Sequence, residues 1–153
     1  MPDPFSPMTT PAPRAAGTRR YARDVRWMSW LLLSVAVLGF AAIWVLLGAY
    51  TGRQHSWMAV LAALDVAWVL RLGGWRPGAV RLALGVAGTA AAVALANWWL
   101  IASHLGAMLG LQPWESAMRL GSGLAWTLAQ LANGAADLAW IAVALVVAAV
   151  ASR

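Results

Sequence analysis

The sequence predicts an all-α fold, a polytopic membrane bundle of four transmembrane helices in two tandem hairpins, with a short interfacial helix at the outer surface. Of the 153 residues, 62% are hydrophobic and only 10% are charged, and the mean hydropathy is +0.70. A soluble domain carries about 25% charged residues, so most of this chain must contact lipid. Four apolar runs supply the helices, and the placement of arginine supplies their orientation.

The first three helices follow from the spacing of the apolar runs. Residues 1–26 form a polar tail rich in Pro, Ala and Thr, which predicts a disordered basic segment. Residues 27–50 would make about 36 Å of helix, enough to span a hydrocarbon core of about 30 Å. That length favours a retained anchor over a cleaved signal peptide. The second helix is predicted over residues 57–72 and the third over residues 79–105, after a turn rich in Gly.

The end of the chain allows two interpretations. Residues 124–151 are predicted as one transmembrane helix. Before them, residues 113–121 begin with Pro at a favoured helix-starting position, which predicts a short helix lying on the membrane surface. The alternative is that Asn133-Gly134 forms a turn and divides the last run into two short helices.

Arginine placement predicts the orientation. With four crossings, nine arginines lie on one side of the membrane and only Arg53 and Arg119 on the other. The positive-inside rule then places both termini in the cytoplasm of a bacterial-type inner (plasma) membrane. The sequence pI is about 11.6. Nucleic acid is nevertheless not an expected partner, because the arginines lie at the ends of apolar runs rather than on one polar face.

A four-residue phrase occurs twice, as Asp65-Val66-Ala67-Trp68 and as Asp137-Leu138-Ala139-Trp140. The first and third helices also match, since an arginine precedes a tryptophan by eighteen residues in each. Together these matches predict a duplicated hairpin with a pseudo-two-fold axis along the membrane normal. The alternative is chance similarity in a sequence rich in Ala, Val and Trp.

The repeated aspartates are the candidate functional residues, because no other acidic residue lies inside an apolar run. A carboxylate at the centre of a membrane helix is unfavourable by about 2.5–3.5 kcal/mol on insertion scales and usually marks a site. Two carboxyl groups close together near the midplane would share a proton. This predicts a proton-linked site for a cationic or lipophilic solute, formed by Asp65, Asp137, Asn97, Gln130, Asn133, Trp68 and Trp140. The alternative is that the polar groups only hydrogen-bond neighbouring helices.

Three functional hypotheses remain. The first is a small oligomeric transporter or pore that uses the aspartate pair. The second is a non-catalytic accessory or scaffold subunit that packs against a larger membrane protein. The third and weakest is a haem- or quinone-associated redox subunit with His55 and His104 as ligands. No catalytic motif and no cysteine is present, so neither an enzyme nor a cofactor or metal site is expected. The expected partners are the lipid bilayer and either further copies of the chain or another membrane protein.

Overall fold

The computed structural model describes the backbone of residues 16–53 and 55–153, and side chains from Trp27 onward. These residues contain helices and no strands, which confirms the all-α prediction. The helices are α1 (Ala16–Thr51), α2 (Met58–Leu72), α3 (Ala79–Leu109), α4 (Pro113–Arg119), α5 (Ser122–Ala132) and α6 (Ala135–Ala151).

Helix α1 begins well before the predicted start at residue 27. Residues 16–26, predicted as part of the disordered tail, continue the helix instead. Their alanines and arginines are good helix formers, and a helix extends readily from an existing nucleus. The part of the predicted tail in residues 1–15 lies outside the described residues. Helix α3 also extends beyond its predicted end, to Leu109, where Gly110 adopts the left-handed conformation (φ 67°) that terminates many helices.

The predicted short helix after α3 is confirmed as α4. Pro113 occupies its first turn, and the Glu115 carboxylate accepts a hydrogen bond from the Gln112 backbone N–H at 3.2 Å. An acidic side chain in this position satisfies a backbone donor that the helix leaves without a partner. Helix α4 packs against α3 and buries Ser116 there.

The prediction of one continuous helix over residues 124–151 is wrong. Helix α5 ends at Ala132, α6 begins at Ala135, and the two are bent by 104°. Asn133 Nδ2 donates a hydrogen bond to the Ala129 carbonyl at 2.7 Å, which satisfies a carbonyl at the end of α5. The Gly134 backbone N–H donates to Asp137 Oδ2 at 2.9 Å. Both helix ends therefore obtain partners locally, and the alternative turn at Asn133-Gly134 is confirmed.

Helices α2 and α3 form the centre of the bundle. Helix α2 packs against α1, α3 and α6, and α3 packs against all the other helices. Small residues dominate the buried positions and allow the helix backbones to approach closely. The fully buried alanines of α2, α3 and α6 are Ala59, Ala62, Ala63, Ala92, Ala96, Ala102, Ala144 and Ala148.

Two hydrogen bonds between helices define one end of the bundle. Ser29 Oγ, near the start of the apolar part of α1, donates to the Gly73 carbonyl after α2 at 2.7 Å. Arg71 Nη2, in the last turn of α2, donates to the Ala151 carbonyl of α6 at 2.9 Å. Helices α1 and α3 therefore run away from this end, and α2 and α6 run toward it. We name it the arginine end, after Arg71, Arg76, Arg81 and Arg153.

Two helices of the described chain are long and apolar enough to cross a membrane, with candidate spans Trp27–Thr51 and Ala79–Leu109. The bent pair α5 and α6 would provide a third crossing if it counts as one span. Helix α2 has only 15 residues. The structure is thus compatible with a membrane protein, and the four-span bundle stays a prediction.

The arrangement does not support the predicted pseudo-two-fold axis. Such an axis would exchange α1 with α3 and α2 with α6, so the contact between α2 and α3 would require a matching contact between α6 and α1. Within the described residues α1 and α6 do not touch. The two tryptophans matched between α1 and α3 also differ, since Trp44 is buried in the core and Trp99 is exposed.

Candidate functional site

Asp137 lies in the first turn of α6 rather than in the middle of a long helix. One carboxylate oxygen accepts the Gly134 N–H, and the other accepts a hydrogen bond from Ser56 Oγ, which is buried just before α2. Both oxygens therefore hold structural elements together. An acidic residue three positions after a candidate N-cap is a known helix-start signature. Asp137 fits this signature only if a helix begins after Gly134, which the prediction of one continuous helix did not allow.

The two predicted site aspartates are not brought to the same depth. The Ser56–Asp137 and Arg71–Ala151 hydrogen bonds join residues 81 and 80 positions apart, so α2 and α6 pack in parallel with this offset. The repeated aspartates are 72 positions apart. Asp137 therefore lies roughly 12–14 Å farther from the arginine end than Asp65, at a rise of about 1.5 Å per residue. The geometry gives no shared-proton pair.

Asp65 lies halfway along α2 and is partly exposed. Exposed apolar side chains flank it at helical spacing, and no hydrogen bond or ion pair reaches its carboxylate from any described side chain. We name this surface the α2 outer face, formed by Leu61, Leu64, Asp65, Trp68 and Leu72. Its Trp68 is 64% exposed, and Trp140 on α6 is 46% exposed. Both indoles, which were predicted as members of the solute site, therefore lie on the exterior of the described bundle.

The histidines also have local roles. His55 Nδ1 donates a hydrogen bond to the Arg53 carbonyl at 2.9 Å, and His104 Nδ1 donates to the Leu100 carbonyl at 2.7 Å, with tautomers assigned from these partners. In the part of the chain that the structure describes, no group of three or more His, Asp or Glu residues could hold a metal ion. Nothing in the geometry places the two imidazoles on opposite sides of a cofactor.

The three predicted amides do come together, in a cavity of about 610 Å³ between α3, α5 and the start of α6. Asn133 Nδ2 donates to Asn97 Oδ1 at 3.3 Å, and Gln130 lines the same space. We name it the amide cavity; its other polar or aromatic lining residues are Trp98, Ser122 and Trp126. These three lining residues were not predicted from the sequence, although Trp126 lies four residues before Gln130 and hence on the same helix face.

A second cavity, of about 470 Å³, lies on the other side of α5. Arg53 and His104 line it, and it shares Asn97 and Ile101 with the amide cavity. Helix α5 therefore separates the two cavities. Among the described residues, α5 packs only against α3, and Ala125 is its one buried residue.

Arg81 makes three hydrogen bonds at the arginine end, whereas the sequence indicated for it only a part in the orientation and in the repeat. Its side chain is 7% exposed and donates to the carbonyls of Ser152 (2.8 Å), Trp75 (3.3 Å) and Arg153. With Arg71 on Ala151, it satisfies the carbonyls that the C-terminus of α6 leaves without partners. No local pattern reveals this role, because it depends on which helix end lies beside Arg81.

Comparison of the chain with protein-family models, with curated proteins and with solved structures found no match. Its function is therefore argued from its own residues.

Proposed function

We propose that this chain is a non-catalytic accessory subunit of a larger membrane complex and that it docks on its partner through the α2 outer face. The observation that supports this is Asp65, a carboxyl group without a described partner, placed halfway along an exposed apolar helix face. A surface made of leucine and tryptophan suits contact with lipid. A carboxyl group in the middle of it does not.

The proposal includes four membrane crossings. Helix α2 packs along α1 and α3, the two helices long enough to span a bilayer. Its 15 residues make a helix of about 22 Å, and Trp57 and Arg71 flank it as side chains suited to the interface. Asp65 then lies near the centre of the membrane. The excess of arginine at the arginine end supports a cytoplasmic location for that end.

Charge complementarity indicates the chemistry of the partner. A carboxylate at the bilayer centre is unfavourable by about 2.5–3.5 kcal/mol when it faces lipid. A spanning helix that carries a basic side chain at the same depth would remove this penalty by forming a hydrogen-bonded ion pair. Polar contacts between membrane helices contribute about 0.6–2 kcal/mol each, so Asp65 would orient the partner while the flanking Leu64 and Trp68 supply most of the contact area.

Proton-linked transport through an aspartate pair stays a prediction from the sequence, and the geometry gives it less support. Both oxygens of Asp137 accept structural hydrogen bonds, and Asp65 lies at another depth. Transport would therefore have to proceed through Asp65 alone or through a second copy of it in an oligomer.

Single-cysteine cross-linking tests the proposal, because the chain contains no native cysteine. Leu64→Cys places a thiol on the α2 outer face, and Val143→Cys places one on α6 at matched exposure, 48% against 47%. In native membranes, a thiol-linked photoreactive probe on Leu64→Cys should give one heteromeric adduct of defined mass. The Val143→Cys control should not give it.

The carboxyl group is tested in the same background. Adding Asp65→Leu to Leu64→Cys should weaken docking by about 3- to 30-fold and reduce the adduct, without lowering the amount of chain in the membrane. Equal adducts from both cysteines, or an adduct that Asp65→Leu leaves undiminished, would contradict docking through this face. An adduct of two copies of the chain would contradict a heteromeric partner.

A further inference from the structure

The amide cavity combines apolar walls with hydrogen-bonding groups. Ile101, Leu138 and Ile141 supply apolar surface, and Gln130 supplies an amide that has no hydrogen bond within the described part of the chain. The cavity opens outward, since Trp126 at its rim is 68% exposed. Gln130 is also exposed, so its amide is accessible to a molecule that enters the cavity. The volume of about 610 Å³ lies in the range of about 300–1,000 Å³ that small-molecule pockets occupy.

The helix break independently points to a ligand. Non-helical backbone at membrane depth is tolerated where it is buried in protein or lines a cavity, and broken helices in membrane proteins often mark binding sites. Asn133, at the break, lines the amide cavity, and α5 covers the cavity with few contacts to the rest of the bundle.

Depth and charge define what would fit. A Cβ on Gly48, which lies three residues before the end of α1, would be 2.6 Å from the Leu100 side chain. Asn97 comes three residues before Leu100 on α3. Asn97 therefore lies within about two helical turns of the bundle end opposite the arginine end. Polar heads of membrane-dissolved molecules reside near that boundary. Among the described side chains, none that lines the cavity is ionisable, so an ionised head would find no counter-charge in them. Amide and indole groups instead match carbonyl and hydroxyl oxygens.

We propose that the amide cavity binds one neutral lipophilic molecule with a carbonyl- or hydroxyl-bearing head, which Gln130 and the indoles of Trp98 and Trp126 hold by hydrogen bonds and ring contacts. Quinones and neutral glycerides share this chemistry. The inference does not depend on how the chain docks on a partner.

Native mass spectrometry of the full chain in detergent tests this with three probes: decylubiquinone, dioctanoylglycerol and the lipophilic cation tetraphenylphosphonium. We expect a one-to-one complex with at least one neutral probe and none with the cation at the same concentration. Binding of only one neutral probe identifies the source of the ligand. Absence of binding by both, or equally tight binding of the cation, would overturn the proposal.

Matched variants locate the site. Gln130→Leu should weaken binding of the neutral probe about tenfold, the effect of one lost hydrogen bond in a partly desolvated site. Gln112→Leu, the same change outside the cavity, should leave the affinity unchanged. Ala94→Phe should fill the cavity and abolish binding while far-UV circular dichroism shows native helix content. Equal affinities for the two Gln variants, or unchanged binding by Ala94→Phe, would overturn the assignment.

Discussion

Replacing each repeated aspartate with alanine should change the stability of the isolated chain very unequally. Asp137 accepts hydrogen bonds from Gly134 N–H, at the start of α6, and from Ser56 Oγ, just before α2, so its removal leaves both donors without this partner. Asp65 accepts no hydrogen bond from the described residues. The two copies of the four-residue phrase therefore differ, because Asp137 has a structural role inside the chain and Asp65 has none.

The magnitude follows from the contacts. Loss of a helix-start hydrogen bond lowers the free energy of unfolding by about 0.5–2 kcal/mol, and loss of a hydrogen bond to a charged group by about 1.5–3 kcal/mol. Asp137→Ala should therefore lower it by about 2–5 kcal/mol in total. Asp65→Ala should change it by no more than about 0.5 kcal/mol, as expected for a substitution away from structural contacts.

The assay is equilibrium unfolding of the purified chain in mixed micelles, with increasing sodium dodecyl sulfate and detection by far-UV circular dichroism. Ser56→Ala completes a double-mutant cycle with Asp137→Ala, and their coupling free energy should be about 1.5–3 kcal/mol. If Asp65→Ala lowers the free energy of unfolding as much as Asp137→Ala does, Asp65 has an intramolecular partner and the assignment of the two roles is wrong. A coupling near zero would refute the bond to Ser56.

Two further changes probe the arginine end in the same micelle assay. Arg81→Met should lower the free energy of unfolding by about 2–4 kcal/mol, because it removes charged hydrogen bonds made by a buried side chain. Arg71 is exposed and makes one such bond, so Arg71→Met should lower it by about 1 kcal/mol or less. Equal effects of the two substitutions would contradict the buried role of Arg81. Gly85→Ala should lower the free energy of unfolding by about 1–3 kcal/mol through overpacking, because the new Cβ would lie 2.8 Å from Ser152 Cβ. Ser152→Gly should then restore most of the loss. Failure of that rescue would show that α3 and the end of α6 are not in this contact.

The elements that sequence analysis predicted best are those specified by short segments of chain. Helix α2 was expected over residues 57–72 and occupies Met58–Leu72, between a polar link and a glycine pair. Helix α4 was predicted over residues 113–121 from its initial Pro113 and occupies Pro113–Arg119. In each case the start and end signals lie within a few residues of the helix, so no distant contact is needed to place it.

Contacts between distant segments could not be predicted in the same way. Arg81 reaches the end of α6 and Ser56 reaches its start, and both contacts depend on how α2, α3 and α6 pack. Periodicity indicates which face of a helix is polar, but it does not indicate what lies opposite that face. Asn97, Gln130 and Asn133 were predicted in one site, and they line one cavity because α5 lies against α3.

The interruption at Asn133-Gly134 accounts for the main departures from the predicted site. In one continuous helix over residues 124–151, Asp137 would lie near the middle of the helix. Once the helix breaks, Asp137 becomes the residue that receives the Gly134 N–H, and the equivalence of the repeated phrases is lost. The segment before the break is bent by 104° from α6 and lies against α3, where Gln130 lines the amide cavity. The predicted site residues are thus divided between two surfaces, a carboxyl group on the exterior of α2 and a neutral cavity beside α5. The ligands that we propose differ accordingly, a basic membrane helix for the first surface and an uncharged lipophilic molecule for the second.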